Sequence, residues 1–158
     1  MKGPSSYRID SASRVIAAPR QAIYEAFVKP ESLVLWLPPE GMSAHIDLFD
    51  ARAGGSYQLT LTYEVDHSNP GKTSDNTDVS KGRFLELVPE TKIVLVGEFD
   101  SEDPAFSGEM VQTWFLEAVA AGTKVTIVNE RVPEGIRKED HDDGLNSTLE
   151  NLARFVEK

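Results

Sequence analysis

DARAGGSYQL at positions 50–59 and GRFLELVP at positions 82–89 decide the fold of this chain. Gly54 and Gly55 predict a turn or bulge, because glycine tolerates positive φ without a Cβ penalty. Residues 88–91 are typical of a tight turn with Pro89 at its second position. The two stretches therefore predict turns that join neighbouring strands of one sheet.

The strand that follows the glycine pair has the most regular pattern in the chain. Its residues with large side chains occupy alternate positions: Tyr57, Leu59, Leu61 and Tyr63. Ser56, Gln58, Thr60 and Thr62 occupy the positions between them. Alternation of this kind predicts a strand with one buried and one solvated face.

Hydrophobic periodicity extends the prediction to one domain over residues 1–158. We expect strands at about 7–17, 42–48, 57–63, 79–88, 92–99, 110–119 and 123–132, and short helices at 19–28, with Pro19 in the first turn, and at 31–37. A polar loop at 66–78 and an acidic loop at 101–109 separate strands. Leu145, Leu149, Leu152 and Val156 form the apolar stripe of a C-terminal helix. This order predicts an α+β fold with a curved antiparallel sheet of about seven strands around that helix.

Charge and composition exclude several classes of function. The formal net charge is −10 and no cluster of Lys and Arg is present, so we expect neither nucleic acid nor an anionic membrane as a partner. The chain has no cysteine, which excludes disulfides, thiolate catalysis and cysteine metal sites. No apolar signal peptide or membrane span is present, and we expect a cytoplasmic protein, monomeric or homodimeric, without metal or cofactor.

The last hairpin places polar groups in the interior of the predicted fold. Its preferred register pairs Leu116 with Val125, Trp114 with Ile127 and Gln112 with Asn129. The alternative register turns Val111, Thr113 and Phe115 inward instead. In the preferred register, Gln112 and Asn129 need hydrogen bonds to each other, to water or to a ligand. Trp114 is then either core filler or the wall of a pocket.

Two other residue types suggest chemistry. Tyr57 and Tyr63 lie on the buried face of their strand, and each hydroxyl needs backbone, water or a ligand as its partner. His141 precedes two aspartates, but consecutive helical residues point in different directions and make a poor metal-ligand set. A plain surface or helix-start histidine is the favoured interpretation for His141, and a general acid or base at a pocket mouth is the alternative. His45 should face outward and His67 should be solvated.

The sequence resembles homologues of the activator of heat-shock protein 90 ATPase, in the START-like (SRPBCC) superfamily that includes the birch-pollen-allergen fold. The resemblance covers nearly the whole chain and rests on the order of its motifs. These are the helix at 19–27, Trp36, Arg52-Ala53-Gly54-Gly55-x-Tyr57, Gly82-x-Phe84-x-Glu86-Leu87-x-Pro89, the stretch 116–125, and Gly144-Leu145. Leu145 stands where many relatives have tryptophan, which enlarges or reshapes the pocket. The resemblance implies a helix-grip fold but not one function.

Three functions follow from this resemblance and the residues. The favoured one is a non-catalytic domain that binds a small hydrophobic or aromatic ligand between the sheet and the C-terminal helix. We expect that cavity to be lined by Trp36, Tyr57, Leu59, Tyr63, Gln112, Trp114, Asn129, His141 and Leu145. The alternatives are a polyketide cyclase or dehydratase-like enzyme and a regulator of a chaperone ATPase. No catalytic residue is assigned, because no paired catalytic constellation is present.

Overall fold

The computed structural model describes residues 8–38, 42–63, 77–99, 108–133 and 136–157. The polar loop at 66–78 falls almost entirely outside these residues, and so do 101–107 of the acidic loop. His67 and the side chain of Tyr63 are likewise outside the described residues.

The elements follow the predicted order. They are β1 (Ile9–Ile16), α1 (Arg20–Val28), α2 (Pro30–Trp36), β2 (Met42–Phe49), β3 (Ser56–Tyr63), β4 (Thr77–Val88), β5 (Lys92–Phe99), β6 (Gly108–Val119), β7 (Gly122–Glu130) and α3 (Lys138–Val156). Pro19 is not in the first turn of α1 but caps it, with an extended ψ of 157°. Strand β7 ends at Glu130, two residues before the predicted end at Val132. The next residue, Arg131, has a φ of 64°, and a left-handed residue cannot continue a strand.

The described strands form one antiparallel sheet in the order β1-β7-β6-β5-β4-β3-β2. The two short helices carry the chain from one edge of this sheet to the other, and β2 to β7 then return as a meander. Helix α3 packs against β1, α1 and α2. Leu145, Leu149 and Leu152 of its apolar stripe are buried, as predicted, whereas Val156 is half-buried.

The two stretches that decide the fold are hydrogen-bonded to each other. The Gly54 amide donates to the Phe84 carbonyl and the Phe84 amide donates to the Gly55 carbonyl, both at 2.8 Å. Gly54 has a φ of 86°, as the turn requires. A Cβ on Gly55 would collide with the Asp50 carbonyl. The glycine pair therefore extends the pairing of β3 with β4.

A β-bulge in β2 changes which of its residues face inward. The register with β3 shifts between Ile46 and Leu48, so Asp47 is the extra residue. The predicted alternation, with Leu48 on the face of Ile46, is therefore wrong beyond the bulge. Leu48 is half exposed, and Phe49 turns inward to pack on Phe84 with ring centroids 5.6 Å apart. A bulge inverts the two-residue alternation for every position after it.

Candidate functional site: a cavity on the concave face of the sheet

A cavity of about 770 Å³ lies on the concave face of the sheet. Its lining comes mainly from β2 to β6 and from the two short helices. The lining residues are Phe27, Leu33, Leu37, Phe49, Tyr57, Leu59, Leu61, Val79, Ser80, Lys81, Phe84, Leu95, Gly97, Met110, Gln112, Trp114 and Thr148. Most of these side chains are apolar, so the cavity favours an apolar occupant.

Helix packing explains why the cavity lies where it does. Among the described residues, close helix-to-sheet packing is concentrated on the edge strands β1 and β2 and on β6. Over the concave face of β3 to β5, the described helices make little close backbone contact, although inward residues such as Leu59 and Phe84 are buried. Thr148 is the α3 residue that reaches the cavity, and its hydroxyl donates to the Gly144 carbonyl at 2.9 Å. The cavity is thus bounded by the sheet, α1 and α2 more than by the predicted C-terminal helix.

Three buried aromatic rings pack together at one side of the cavity. The Phe27 ring lies 5.0 Å from Trp114 and 6.0 Å from Trp36, between ring centroids. Phe27 and Trp114 line the cavity, while Trp36 is a core residue whose Nε1 donates to the Ala26 carbonyl at 2.9 Å. Trp36 therefore supports the wall without being part of it.

The preferred register of the β6–β7 hairpin is confirmed. Trp114 pairs with Ile127 and Gln112 with Asn129. The Gln112 amide nitrogen donates to the Asn129 amide oxygen at 2.9 Å, and Trp114 Nε1 donates to the Gln112 amide oxygen at 2.6 Å. Gln112 and Trp114 both face the cavity, so this pair combines an apolar surface with a polar group on the wall.

The hydrogen bonds continue from Asn129 away from the cavity. Asn129 is fully buried, and its amide nitrogen lies 3.4 Å from Nε2 of His141. Nδ1 of His141 lies 2.7 Å from the carboxylate of Asp10, which also accepts from Arg8 at 2.9 Å. The side chains of β6, β7, α3 and β1 are thereby joined in one polar chain. It runs from the cavity wall to the partly exposed Arg8.

Asp10 is a buried carboxylate held in its charged form. Burial acts to raise its pKa, but the hydrogen bonds from His141 and Arg8, together with the positive charge of Arg8, outweigh it and lower the pKa below 3.8. The side chain of His141 is only 15% exposed. His141 lies in the first turn of α3, so the expected helix-start position is confirmed, but its side chain turns toward β1 and the expected surface position is wrong.

The structure places the described residues that were predicted to line a cavity in three places: on the cavity wall, in the core and in the polar chain. Tyr57, Leu59, Gln112 and Trp114 lie on the cavity wall. Trp36, Asn129, His141 and Leu145 are not among the lining residues. Trp36 and Leu145 are packed in the core, and Asn129 and His141 stand behind Gln112 in the polar chain. The side chain of Tyr63 is not described. Whether any of these residues binds a ligand stays a prediction.

Several lining residues were missed by sequence reasoning. Phe49 lines the cavity because of the bulge in β2, and no pattern of residues in the chain signals that bulge. Leu95 could have been predicted, because it pairs with Gln112 across β5 and β6 and therefore lies on the same face of the sheet. Phe84 belongs to the motif Gly82-x-Phe84-x-Glu86, but its place on the cavity wall follows from its packing on Phe49 and Tyr57.

The described part of the chain contains neither a metal-ligand cluster nor a helix that could span a membrane. No group of three or more His, Asp or Glu side chains there could hold a metal ion. Asp142 pairs with Lys138 at 3.0 Å, on a different side of α3 from the contact between His141 and Asp10. Over the same residues, no helix combines the length and apolar character that crossing a bilayer requires.

A curved antiparallel sheet with two short helices and a C-terminal helix is the helix-grip fold of START-like proteins. The chain belongs to the family described as activator of Hsp90 ATPase homolog 1-like protein, whose model matches residues 17–157.

Solved structures agree with this assignment. A Chromobacterium violaceum protein is 33% identical, with a TM-score of 0.81, over 95% of this chain and 98% of its own. An activator-homologue-like protein from Aeromonas hydrophila is 15% identical, with a TM-score of 0.75, over 95% of this chain and 92% of its own. A protein from Mesorhizobium loti is 18% identical, with a TM-score of 0.75, over 95% of this chain and 97% of its own. The last two show the fold alone. Among curated proteins, none matches this sequence.

Proposed function

We propose that this chain is a non-catalytic START-like domain that binds a small hydrophobic or aromatic molecule. The observation that carries the proposal is the cavity of about 770 Å³, lined mainly by apolar side chains with Gln112 among them. Ligand pockets of proteins occupy about 300–1,000 Å³ and combine apolar walls with a few polar groups that fix orientation. The cavity has both properties.

Expected affinities are modest for small probes. A two-ring aromatic molecule has about ten heavy atoms, and efficient small ligands gain roughly 0.3–1.5 kcal/mol per heavy atom. A gain of about 6 kcal/mol corresponds to a dissociation constant of roughly 40 μM. Such binding is measurable by calorimetry and by native mass spectrometry.

The alternative of a cyclase or dehydratase-like enzyme needs an acid or base within reach of the ligand. The candidates for that role are His141, Tyr57 and Tyr63. His141 is directed to Asp10 and does not line the cavity, and Tyr57 lines it but donates its hydroxyl to the Val96 carbonyl at 3.4 Å. The side chain of Tyr63 lies outside the described residues. Regulation of a chaperone ATPase is suggested by the family's name alone. We therefore propose binding as the function and assign no catalytic residue.

The partners and the cellular setting are part of the same proposal. We propose a cytoplasmic domain, monomeric or homodimeric, whose partner is the small molecule. A chain with a net charge of −10 would repel the phosphates of nucleic acid. The lack of cysteine suits a reducing compartment, where disulfides are rare.

A blocking substitution tests the proposal. In Leu61→Trp, a larger ring occupies the cavity from β3, whereas Leu85→Trp puts the same ring at a position that is 43% exposed. We expect 2-methylnaphthalene to bind the wild type, to bind Leu61→Trp at least about tenfold more weakly, and to bind Leu85→Trp with wild-type affinity. Calorimetry measures the three constants. Absence of binding to the wild type, or equal binding to Leu61→Trp, would contradict the proposal.

A further inference from the structure

The polar chain behind the cavity has a fixed direction of donation. An indole N–H only donates, so Trp114 requires the Gln112 oxygen to accept. The Gln112 nitrogen must then donate to the Asn129 oxygen, and the Asn129 nitrogen to Nε2 of His141. The remaining proton of His141 lies on Nδ1 and points to the Asp10 carboxylate, which only accepts.

Reversing this direction leaves two donors facing each other. If Nε2 of His141 carried a proton, the Asn129 amide would have to turn its oxygen toward it. Gln112 would then turn its oxygen to Asn129 and its nitrogen to Trp114, opposite another N–H. Buried donors without acceptors cost the desolvation of both groups. A donor at one end and an acceptor at the other thus hold both amides in one orientation.

The polar chain leaves part of the hydrogen-bonding capacity of Gln112 unused at the cavity wall. A glutamine amide offers two N–H donors and two lone pairs. Among the described residues, Gln112 uses one donor toward Asn129 and one lone pair toward Trp114. One N–H and one lone pair of a half-buried residue on the cavity wall are therefore available to an occupant.

We propose that Gln112 is the polar anchor of the ligand, and that Asn129, His141 and Asp10 are positioning residues that fix its amide. The inference rests on the proposed function. The ligand class it names is an apolar ring system with an uncharged oxygen substituent, above all a hydroxyl, which can donate and accept at once. A charged group gains less here, because a neutral amide does not offset the cost of removing a charge from water.

Three two-ring probes of similar shape test the anchor. 2-Naphthol carries a hydroxyl, 2-methylnaphthalene carries a methyl group of similar size, and 2-naphthoate carries an anion that would select Lys81 on the wall instead. We expect the wild type to bind 2-naphthol about five- to tenfold more tightly than either of the others, the value of one net hydrogen bond. Calorimetry at pH 7 gives the ratios.

Substitutions then locate the source of the preference. Gln112→Leu should lower the ratio for 2-naphthol over 2-methylnaphthalene to about one. Gln58 lies between Tyr57 and Leu59 on β3, and because these two residues face the cavity, Gln58 lies on the opposite face of the sheet. Gln58→Leu is the same chemical change at that position and should keep the wild-type ratio. A ratio that persists in Gln112→Leu, or a stronger preference for 2-naphthoate, would overturn the anchor.

A pair of variants separates positioning from stability. His141→Phe and His141→Gln both remove the imidazole contact to Asp10, but glutamine restores an acceptor for Asn129. We expect the ratio to fall to about twofold in His141→Phe and to stay near the wild-type value in His141→Gln. Equal ratios in the two variants would overturn the positioning role.

The wild type itself supplies a measurement that does not depend on any variant folding. The chain has two tryptophans, so a ¹⁵N–¹H spectrum shows two indole signals. The Trp114 signal should move when 2-naphthol binds, and much more than that of Trp36, whose N–H is held by the Ala26 carbonyl. The ¹⁵N shifts of His141 should place its proton on Nδ1. A proton on Nε2 would overturn the direction of hydrogen-bond donation proposed for the polar chain.

The outcomes distinguish failure of this inference from failure of the proposed function. Binding of 2-methylnaphthalene without a preference for 2-naphthol would keep the cavity as a binding site and overturn the anchor. Absence of binding by all three probes would overturn both.

Discussion

At the scale of single residues, two paired glycines, Gly82 on β4 and Gly97 on β5, make room for the Tyr57 ring in the cavity wall. Tyr57 lies opposite Gly82, and its hydroxyl donates to the Val96 carbonyl at 3.4 Å. The ring crosses the sheet because neither Gly82 nor its partner Gly97 carries a side chain. Glycine on these strands therefore makes room for an aromatic residue of the wall.

Alanine substitutions at these two glycines should differ sharply. A Cβ on Gly82 would collide with the Val96 carbonyl and stand 2.7 Å from the Tyr57 hydroxyl, whereas on Gly97 the nearest atom is 3.6 Å away. We expect Gly82→Ala to lower the free energy of unfolding by about 3 kcal/mol and Gly97→Ala to change it by less than about 1 kcal/mol. Urea unfolding measures both. Similar losses in the two variants would show that the Tyr57 ring does not depend on Gly82.

At the scale of elements, the bulges and turns decide which side chains face the cavity. The β4–β5 register shifts between Phe84 and Glu86, so Phe84 stays inward while Leu85 is exposed. In β2 the extra residue Asp47 accepts a hydrogen bond from the Thr60 hydroxyl at 2.6 Å. Sequence alternation predicts the strands correctly but cannot predict a bulge, because the compensating contact comes from another strand.

The turn between β4 and β5 contains a residue under strain. Glu90 has a φ of 63°, and the Thr91 amide closes the turn on the Val88 carbonyl at 2.9 Å. Asparagine tolerates this left-handed conformation better than glutamate does. We expect Glu90→Asn to raise the free energy of unfolding by about 0.5 kcal/mol, measured by urea titration. Glu90→Ala removes the same side chain without easing the backbone, and an equal gain in that variant would contradict the explanation.

At the scale of the whole molecule, the polar chain ties the two ends of the described fold together. His141 and Asp10 are 131 positions apart in sequence and join α3 to β1. The pairing could not be foreseen from the pattern of β1, where Asp10 is one polar residue among several. Only the tertiary arrangement, which pairs β1 with β7 and packs α3 against β1, makes the aspartate a neighbour of His141.

This pairing predicts a pH dependence of stability. Because the folded-state pKa of Asp10 is below its unfolded value of 3.8, the unfolded chain binds more protons as the pH falls through that range. The contribution is complete above pH 3.8 and is lost as the pH falls through the lower folded-state value. Urea unfolding of the wild type and of Asp10→Asn should therefore give free energies that differ most near neutral pH and converge in acid. Parallel curves would show that the Asp10 carboxylate is not stabilised by folding.

The sequence by itself determined the elements, their order and the register of the last hairpin. Those properties follow from short-range periodicity and turn residues, which is why Gln112 and Asn129 could be paired in advance. It did not determine where the cavity lies. The tertiary structure packed α3 most closely against β1 rather than over β3 to β5, moved Phe49 inward through a bulge, and brought Asp10 to His141. Each of these depends on contacts between residues far apart in sequence, and such contacts leave no periodic pattern in the chain.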